Sequence, residues 1–229
     1  MKRISNSILL VMICLTISSC NNNIKSVKEL ENYSKLDKLD FQTLEKKGVR
    51  ISIKHQPIEF LMLQKYKHYQ IEKEKLKQNS AVRNVYLELQ KLKNEIKKAN
   101  DNYSNSIYFI LTIGYADEKK DIEYQKMSTG FNDYTTWLNT LLFSMNKYIY
   151  MDTPNIDEIP LSIYQMDRTF GITKKRSFLL VFPKYFNNVN LLKEEWLKIN
   201  IKEFGLGIGI VSLKFVLPFQ EINLSDNLL

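Results

Sequence analysis

One apolar stripe constrains the fold of this chain more than any other sequence feature. Its members recur at alternating spacings of three and four residues, which places them on one side of a helix: Val82, Val85, Leu89, Leu92 and Ile96. Upstream, Tyr66, Tyr69 and Leu76 follow the same spacing in a shifted register, with polar residues 78–80 between the two. The pattern predicts a long helix in the N-terminal half, with a break or kink at 78–80.

The periodicity changes to that of strands on both sides of this helix. Before it, Val49, Ile51 and Ile53 alternate with polar residues, as in a half-buried strand. After it, residues 106–115 are apolar on both faces of a strand, which is typical of the centre of a sheet. Residues 25–47 are expected to form a short helix that ends at Gly48.

The C-terminal half contains one further helix among several strands. Asn132 is a candidate N-cap, and Trp137 and Leu141 belong to the apolar face of the shorter helix that it would begin. Further strands are predicted at residues 148–151, 161–170, 177–182, 197–201 and 208–217. Helices followed by a run of strands indicate the α+β class with a mostly antiparallel sheet.

Positive charge is concentrated in the segment that carries the stripe. The chain has a formal net charge of +8, and residues 65–98 hold ten Lys and Arg against four Glu, or +6. Four lysines lie off the stripe and are candidate partner contacts: Lys91, Lys93, Lys97 and Lys98. This basic surface is either a solvated helix face or a contact with anionic lipid head groups or an acidic partner.

The N-terminus follows the pattern of an export signal. Basic residues 2 and 3 precede an apolar run over residues 8–17, and small residues 18 and 19 follow it. The run has ten residues, whereas a membrane-spanning helix needs about 20. We therefore expect a signal peptide that is removed from the mature protein.

The signal pattern ends at Cys20. The residues Ile17-Ser18-Ser19-Cys20 resemble the lipobox of bacterial lipoproteins. The resemblance implies cleavage before Cys20 and a diacylglyceryl group on its thiol, giving a mature N-terminus with two or three acyl chains, enough for stable anchoring. The alternative is an ordinary signal peptide with a chance cysteine at its end. On the lipoprotein hypothesis the protein is anchored in the cell envelope, at the outer rather than the inner membrane.

These features predict the organisation of the chain. Residues 1–19 are the signal peptide, and residues 20–24 are the lipidated cysteine and a polar tether. Residues 25–104 are mainly helical with one strand, and residues 105–229 are the strand-rich part of the same globular domain. The chain has two cysteines, Cys14 and Cys20, so the mature protein is expected to hold neither a free thiol nor a disulfide.

Candidate catalytic and ligand-binding motifs are weak. The sequence after Gly205, Gly207 and Gly209 is predicted to be a strand and not a helix. We expect the three glycines to belong to this strand, where their alternate positions place them on one face and allow a ring or a backbone to pack closely. The two histidines, His55 and His68, lack metal-ligand spacing, and we predict no cofactor and no metal.

The acidic residues offer one further possibility. Adjacent carboxylates at 117–118, 157–158 and 194–195 could serve a glycoside hydrolase, although such pairs in polar segments are usually solvated. Asp167 and Arg168 interrupt a predicted apolar strand and point to opposite faces, so each is expected to have its own structural partner.

Three classes of function follow from these patterns. The first is a non-catalytic envelope lipoprotein that acts as a subunit or adaptor, held to the membrane by its lipid and contacting an envelope protein or an anionic lipid surface through the basic helix. The second binds a glycan or another soluble ligand and predicts an aromatic-lined pocket. The third is a hydrolase, which predicts converging carboxylates in a cleft. A nucleic-acid partner is not expected, because no motif for it is present.

Overall fold

A computed structural model of the chain describes residues 23–35, 40–78, 82–167 and 173–225. Two residues singled out above, Cys20 and Arg168, lie outside this part. The α-helices are, in chain order, α1 (Val27–Lys35), α2 (Ile58–Leu61), α3 (Leu63–Gln78), α4 (Val82–Tyr103), α5 (Ile122–Met127) and α6 (Phe131–Phe143). The strands are β1 (Asn23–Ile24), β2 (Phe41–Lys46), β3 (Val49–His55), β4 (Ser106–Tyr115), β5 (Ile149–Asp152), β6 (Ile159–Pro160), β7 (Ile163–Met166), β8 (Arg176–Pro183), β9 (Tyr185–Phe186), β10 (Val189–Asn190), β11 (Trp196–Ile201), β12 (Val211–Val216) and β13 (Asn223–Leu224).

Two antiparallel sheets form the body of the protein, which is of the predicted α+β class. The larger sheet has the strand order β2-β3-β4-β8-β7, and the smaller has the order β12-β11-β5-β6. In β8 and β12 every second residue is buried, as expected for strands that turn one face towards a core. Residues 106–115 form β4, the central strand of the larger sheet, as the apolar pattern on both of its faces predicts.

The main hydrophobic core lies between the inner faces of the two sheets. Phe109 of the larger sheet and Phe215 of the smaller one contact each other, with their ring centroids 5.2 Å apart. Ile199 of β11 belongs to the same cluster, and α6 adds Trp137 and Leu141 to it. Each sheet thus buries one face against the other, which is how a two-layered domain removes apolar surface from water.

Helices α2, α3 and α4 form an insertion between two neighbouring strands. β3 and β4 pair antiparallel, with His55 opposite Phe109, and the N–H of Gln56 donates to the carbonyl oxygen of Tyr108 at 2.8 Å. The chain therefore leaves the sheet and returns to it at one place, where a short hairpin turn would be enough to connect the strands.

A second hydrophobic cluster holds these helices together. Tyr66 and Tyr69 of α3 pack with Leu92 and Ile96 of α4, and the other buried members of the cluster are Ile24, Leu30, Phe60 and Met62. β1 pairs parallel with β13 beside this cluster, which joins the first described residues to the last ones. Asn23 and Ile24 therefore form a strand within the segment 20–24, for which a polar tether is predicted.

The predicted break at 78–80 is a reversal of the chain and not a kink. α3 ends at Gln78 and α4 begins at Val82, and the ammonium group of Lys93 lies 6.0 Å from the centroid of the Tyr69 ring. The two apolar registers seen in the sequence belong to two antiparallel helices, and Tyr66 and Tyr69 of the first pack with Leu92 and Ile96 of the second.

The prediction of one short helix over residues 25–47 is wrong in its second part. α1 ends at Lys35, and β2 pairs with β3 from Phe41 opposite Lys54 to Lys46 opposite Val49. Gly48 has a φ of 77° and completes the two-residue turn of this hairpin, so it does not cap a helix. Five of the six β2 residues are exposed, which explains why no strand periodicity marks this edge.

Two further predicted boundaries differ from the structure. α6 begins at Phe131, so Asn132 lies inside its first turn and is not the cap. β7 ends at Met166, and Asp167 follows it as an exposed residue whose N–H donates to the carbonyl oxygen of Ser177 at 2.8 Å. Element ends depend on contacts with neighbours as much as on local periodicity.

Candidate functional site

The paired helices α3 and α4, here called the helical arm, extend beyond the core that holds them. The 22 residues of α4 span about 33 Å at 1.5 Å per residue. The half nearest the sheet supplies the buried residues of the second cluster, whereas the far half carries exposed apolar side chains. Ile71, Tyr86 and Leu87 are 53%, 64% and 63% exposed. Exposed apolar side chains grouped in this way mark a contact surface more often than isolated ones do.

The four lysines predicted as partner contacts lie on two flanks of α4. Lys91 and Lys98 line one shallow groove of the helix surface. Lys93 and Lys97 are one turn apart on another flank, and Lys93 lies over the Tyr69 ring of α3. The structure therefore separates the predicted set into two pairs and does not bring all four together.

Ion pairs neutralise part of the positive charge of the arm. Lys75 pairs with Glu72 at 2.7 Å and Lys77 with Glu74 at 2.8 Å. Within the described part of the chain, neither Lys97 nor Lys98 forms an ion pair. These two lysines leave uncompensated charge in the half of the arm nearest the sheet.

A cleft of about 420 Å³ opens where the arm leaves the sheet. Its walls come from the end of β3 and the start of α2, from the start of β4, and from the segment that joins β12 to β13. The rings of His55 and Phe219 stack there, with centroids 3.8 Å apart and planes inclined by 12°. The cleft is thus partly aromatic, as the hypothesis of a soluble ligand predicts.

Burial shifts the pKa of two titratable groups in this cleft towards the uncharged form. Burial lowers the pKa of His55 to about 4, and its Nδ1 atom is buried without a hydrogen-bond partner among the described residues. Burial also raises the pKa of the Glu59 carboxyl above its ordinary value. At neutral pH the imidazole of His55 is therefore uncharged.

The glycines at 205, 207 and 209 do not lie in a strand, contrary to prediction, because β12 begins only at Val211. They belong to a loop that wraps around the carboxylate of Glu203. One oxygen of Glu203 accepts from the N–H groups of Gly205, Leu206 and Gly207 at 2.6–2.9 Å, and the other accepts from Gly209 at 2.6 Å. All three glycines have positive φ, which turns successive N–H groups towards one point.

This glycine loop is an anion site that the chain fills with its own side chain. Burial opposes ionisation of Glu203, but hydrogen bonds from four backbone N–H groups hold its pKa below the ordinary value. Lys46, Lys47 and Lys126 donate to carbonyl oxygens of the loop on its outside. An acidic residue just before a run of alternating glycines is the sequence signal that could have predicted this arrangement.

A buried polar group on the smaller sheet was also missed. Asp152, 6% exposed, accepts from the ammonium of Lys198 and from the amide of Asn200, both at 2.8 Å. Burial opposes its ionisation, yet hydrogen bonds from Lys198, the Glu158 N–H and Asn200 lower the pKa of Asp152. The group consists of satisfied structural contacts, which explains why polar residues are tolerated here.

One carboxylate of each adjacent pair considered for hydrolysis has a structural partner. Glu118 accepts from Lys175 at 2.9 Å, Glu158 lies 3.8 Å from Lys202, and Glu194 accepts from the Asn155 amide at 2.8 Å. In the described part of the chain, no three His, Cys, Asp or Glu side chains are grouped as metal ligands would be. Nor does any described helix have the length and apolar content that crossing a bilayer requires.

Comparison with known proteins adds little to this geometry. No family model matches the chain, and no curated protein matches it. A similar solved structure is that of a novel protein of unknown function from Burkholderia pseudomallei, 15% identical to this chain. The match covers 76% of this chain and 77% of the other, with a TM-score of 0.34. A likeness this distant carries no argument about function.

Proposed function

We propose that this protein is a non-catalytic lipoprotein of the bacterial cell envelope that acts as a subunit or adaptor, and that the helical arm contacts its partner. The observation that carries the proposal is the exposure of Ile71, Tyr86 and Leu87 on the far half of an arm that also bears unpaired lysines. Exposed apolar side chains and positive charge on the same arm suit a partner surface that combines apolar and acidic groups.

The position of the N-terminus fits an anchored protein. β1 begins at Asn23, three residues after Cys20, and its pairing with β13 fixes it to the body. Three extended residues reach about 10 Å. A lipid on Cys20 would thus hold the body next to the bilayer surface. The arm begins in the same cluster as β1, so partner binding would take place within a few tens of ångströms of the membrane.

Binding of a soluble ligand such as a glycan is the second candidate function. It is favoured by the cleft between the arm and the sheet, whose lining includes His55, Tyr108 and Phe219. Aromatic rings in a concave site are a usual feature of small-molecule pockets. The two functions are compatible, because the cleft and the far half of the arm do not overlap.

The adaptor proposal is tested by reversing charge on one flank of α4. The double variant Lys93→Glu/Lys97→Glu changes the net charge by four units, and we expect capture of the partner from detergent-solubilised membranes to fall at least tenfold at low salt. The native interaction should also weaken with added salt, because exposed charges are screened beyond about 8 Å at physiological ionic strength. The free energy of unfolding should change by about 1 kcal/mol or less. This change includes the loss of the weak contact between the Lys93 ammonium and the Tyr69 ring.

Two control variants make this test specific. Lys119→Glu/Lys120→Glu changes the charge equally at an exposed loop of the body and should leave capture unchanged. Lys91→Glu/Lys98→Glu tests the other flank of α4. Equal capture by native protein and by both arm variants would show that the arm is only a solvated surface.

A further inference from the structure

The charge of the cleft is opposite to that of the protein around it. The chain contains 33 Lys and Arg, yet none of the described residues that line the cleft is a lysine or an arginine. Two carboxylates line it, those of Glu59 and Glu221, and neither forms an ion pair with another described residue. Glu221 is exposed and therefore leaves negative potential in the concavity, and a bound cation would favour ionisation of Glu59 against the opposing effect of its burial.

The uncharged part of the cleft lining is also suited to a cation. The lining includes Phe219, one ring face of which is stacked on His55, and Tyr108, which is 6% exposed. Because burial keeps His55 neutral, its imidazole does not cancel the negative charge of the carboxylates. Aromatic faces attract cations through their quadrupole, and the attraction is strongest for cations that are weakly hydrated.

We propose that this cleft binds a small organic ammonium cation. Glu59 and Glu221 supply the counter-charge, and the rings of Phe219 and Tyr108 contact the alkyl groups around the nitrogen. The volume of about 420 Å³ lies within the range of small-molecule pockets. An anionic group attached to the ligand is disfavoured, because no cation in the lining can pair with it. This activity goes beyond the adaptor function and uses a different surface from the far half of the arm.

The proposal is tested by titrating the full-length protein, in a non-ionic detergent, with three probes of similar shape. Choline carries the cation, 3,3-dimethyl-1-butanol is its uncharged analogue, and phosphocholine adds an anionic group. We expect choline to shift the backbone amide signals of Ile222 and Asn223 with a Kd of roughly 1–10 mM. Binding of the neutral analogue and of phosphocholine should be at least roughly tenfold weaker.

Variants then locate the site. Glu221→Gln, at an exposed position where folding is not at risk, and Glu59→Gln should each weaken choline binding by roughly fivefold or more. Glu74→Gln removes the same charge from the arm and should have no effect. The proposal is overturned if choline does not bind, if the neutral analogue binds as well as choline, if phosphocholine binds more tightly, or if Glu221→Gln leaves the affinity unchanged.

Discussion

At the scale of single residues, His55 links protonation to stability. Its pKa is about 4 in the folded protein because of burial and about 6.5 in an unfolded chain, so folding releases a proton between these values. The stabilisation by the neutral ring is complete above about pH 6.5 and is lost as the pH falls towards 4. We expect native protein to lose about 2–3 kcal/mol of unfolding free energy between pH 7 and pH 4 relative to His55→Phe, measured by urea unfolding at each pH.

The variant is chosen because phenylalanine keeps the stacking on Phe219 while removing the titrating group. Lowered carboxyl pKa values, such as that of Glu203, reduce the stability of both proteins in acid. The effect of His55 is therefore the difference in unfolding free energy between native protein and His55→Phe at each pH. His68→Gln, which changes the other histidine at an exposed position on the arm, is the matched control. Unfolding free energies of native protein and His55→Phe that run parallel from pH 7 to pH 4 would contradict this account.

At the scale of elements, the far half of the arm should be dispensable for folding. Among the described side chains of the arm, the buried ones are Tyr66, Tyr69, Leu92 and Ile96, all in its near half. Replacing residues 73–88 with a short Gly-Ser turn should therefore change the melting temperature by only a few degrees, as measured by circular dichroism. The same protein should no longer capture the partner, because it lacks Tyr86 and Leu87.

A loss of more than about ten degrees would show that the far half supports the fold, because surface changes rarely cost that much. Replacing Tyr86 and Leu87 with serine provides a milder version of the same test. This double variant removes two exposed apolar side chains and leaves both helices in place. Undiminished capture by both proteins would place the partner contact elsewhere.

At the scale of the whole molecule, the proposed anchor depends on one atom, the Sγ of Cys20. Cys20→Ser should either release the protein into the soluble fraction or stop its processing, because serine cannot accept the thioether-linked lipid. The measurement is fractionation of cells labelled with radioactive palmitate. Cys14→Ser changes the other cysteine of the chain, within the predicted signal, and should keep the label. A fully processed Cys20→Ser protein that stays in the membrane would exclude lipid anchoring.

Local periodicity was enough to predict several elements from the sequence. The alternation of Val49, Ile51 and Ile53 predicts β3, and the apolar run of residues 106–115 predicts β4 and its central position. The 3-4 stripes predict the helical character of the arm, although as one long helix, and together these patterns predict the α+β class. Such patterns are informative because each face of a helix or strand contacts either the core or the solvent. The order of apolar and polar residues along the chain therefore indicates which face is buried.

What only the tertiary structure decided depends on contacts between distant residues. Periodicity places Leu92 and Ile96 on one helix face but does not say that Tyr69 covers them, so a reversal of the chain and a kink have the same local pattern. The cleft joins segments that are more than a hundred residues apart. The glycine loop follows from its hydrogen bonds to Glu203, which no hydrophobic pattern encodes. The sequence by itself therefore determined the elements, whose apolar periodicity is local, and the tertiary structure decided the sites, because the chain brings their side chains together only when it packs.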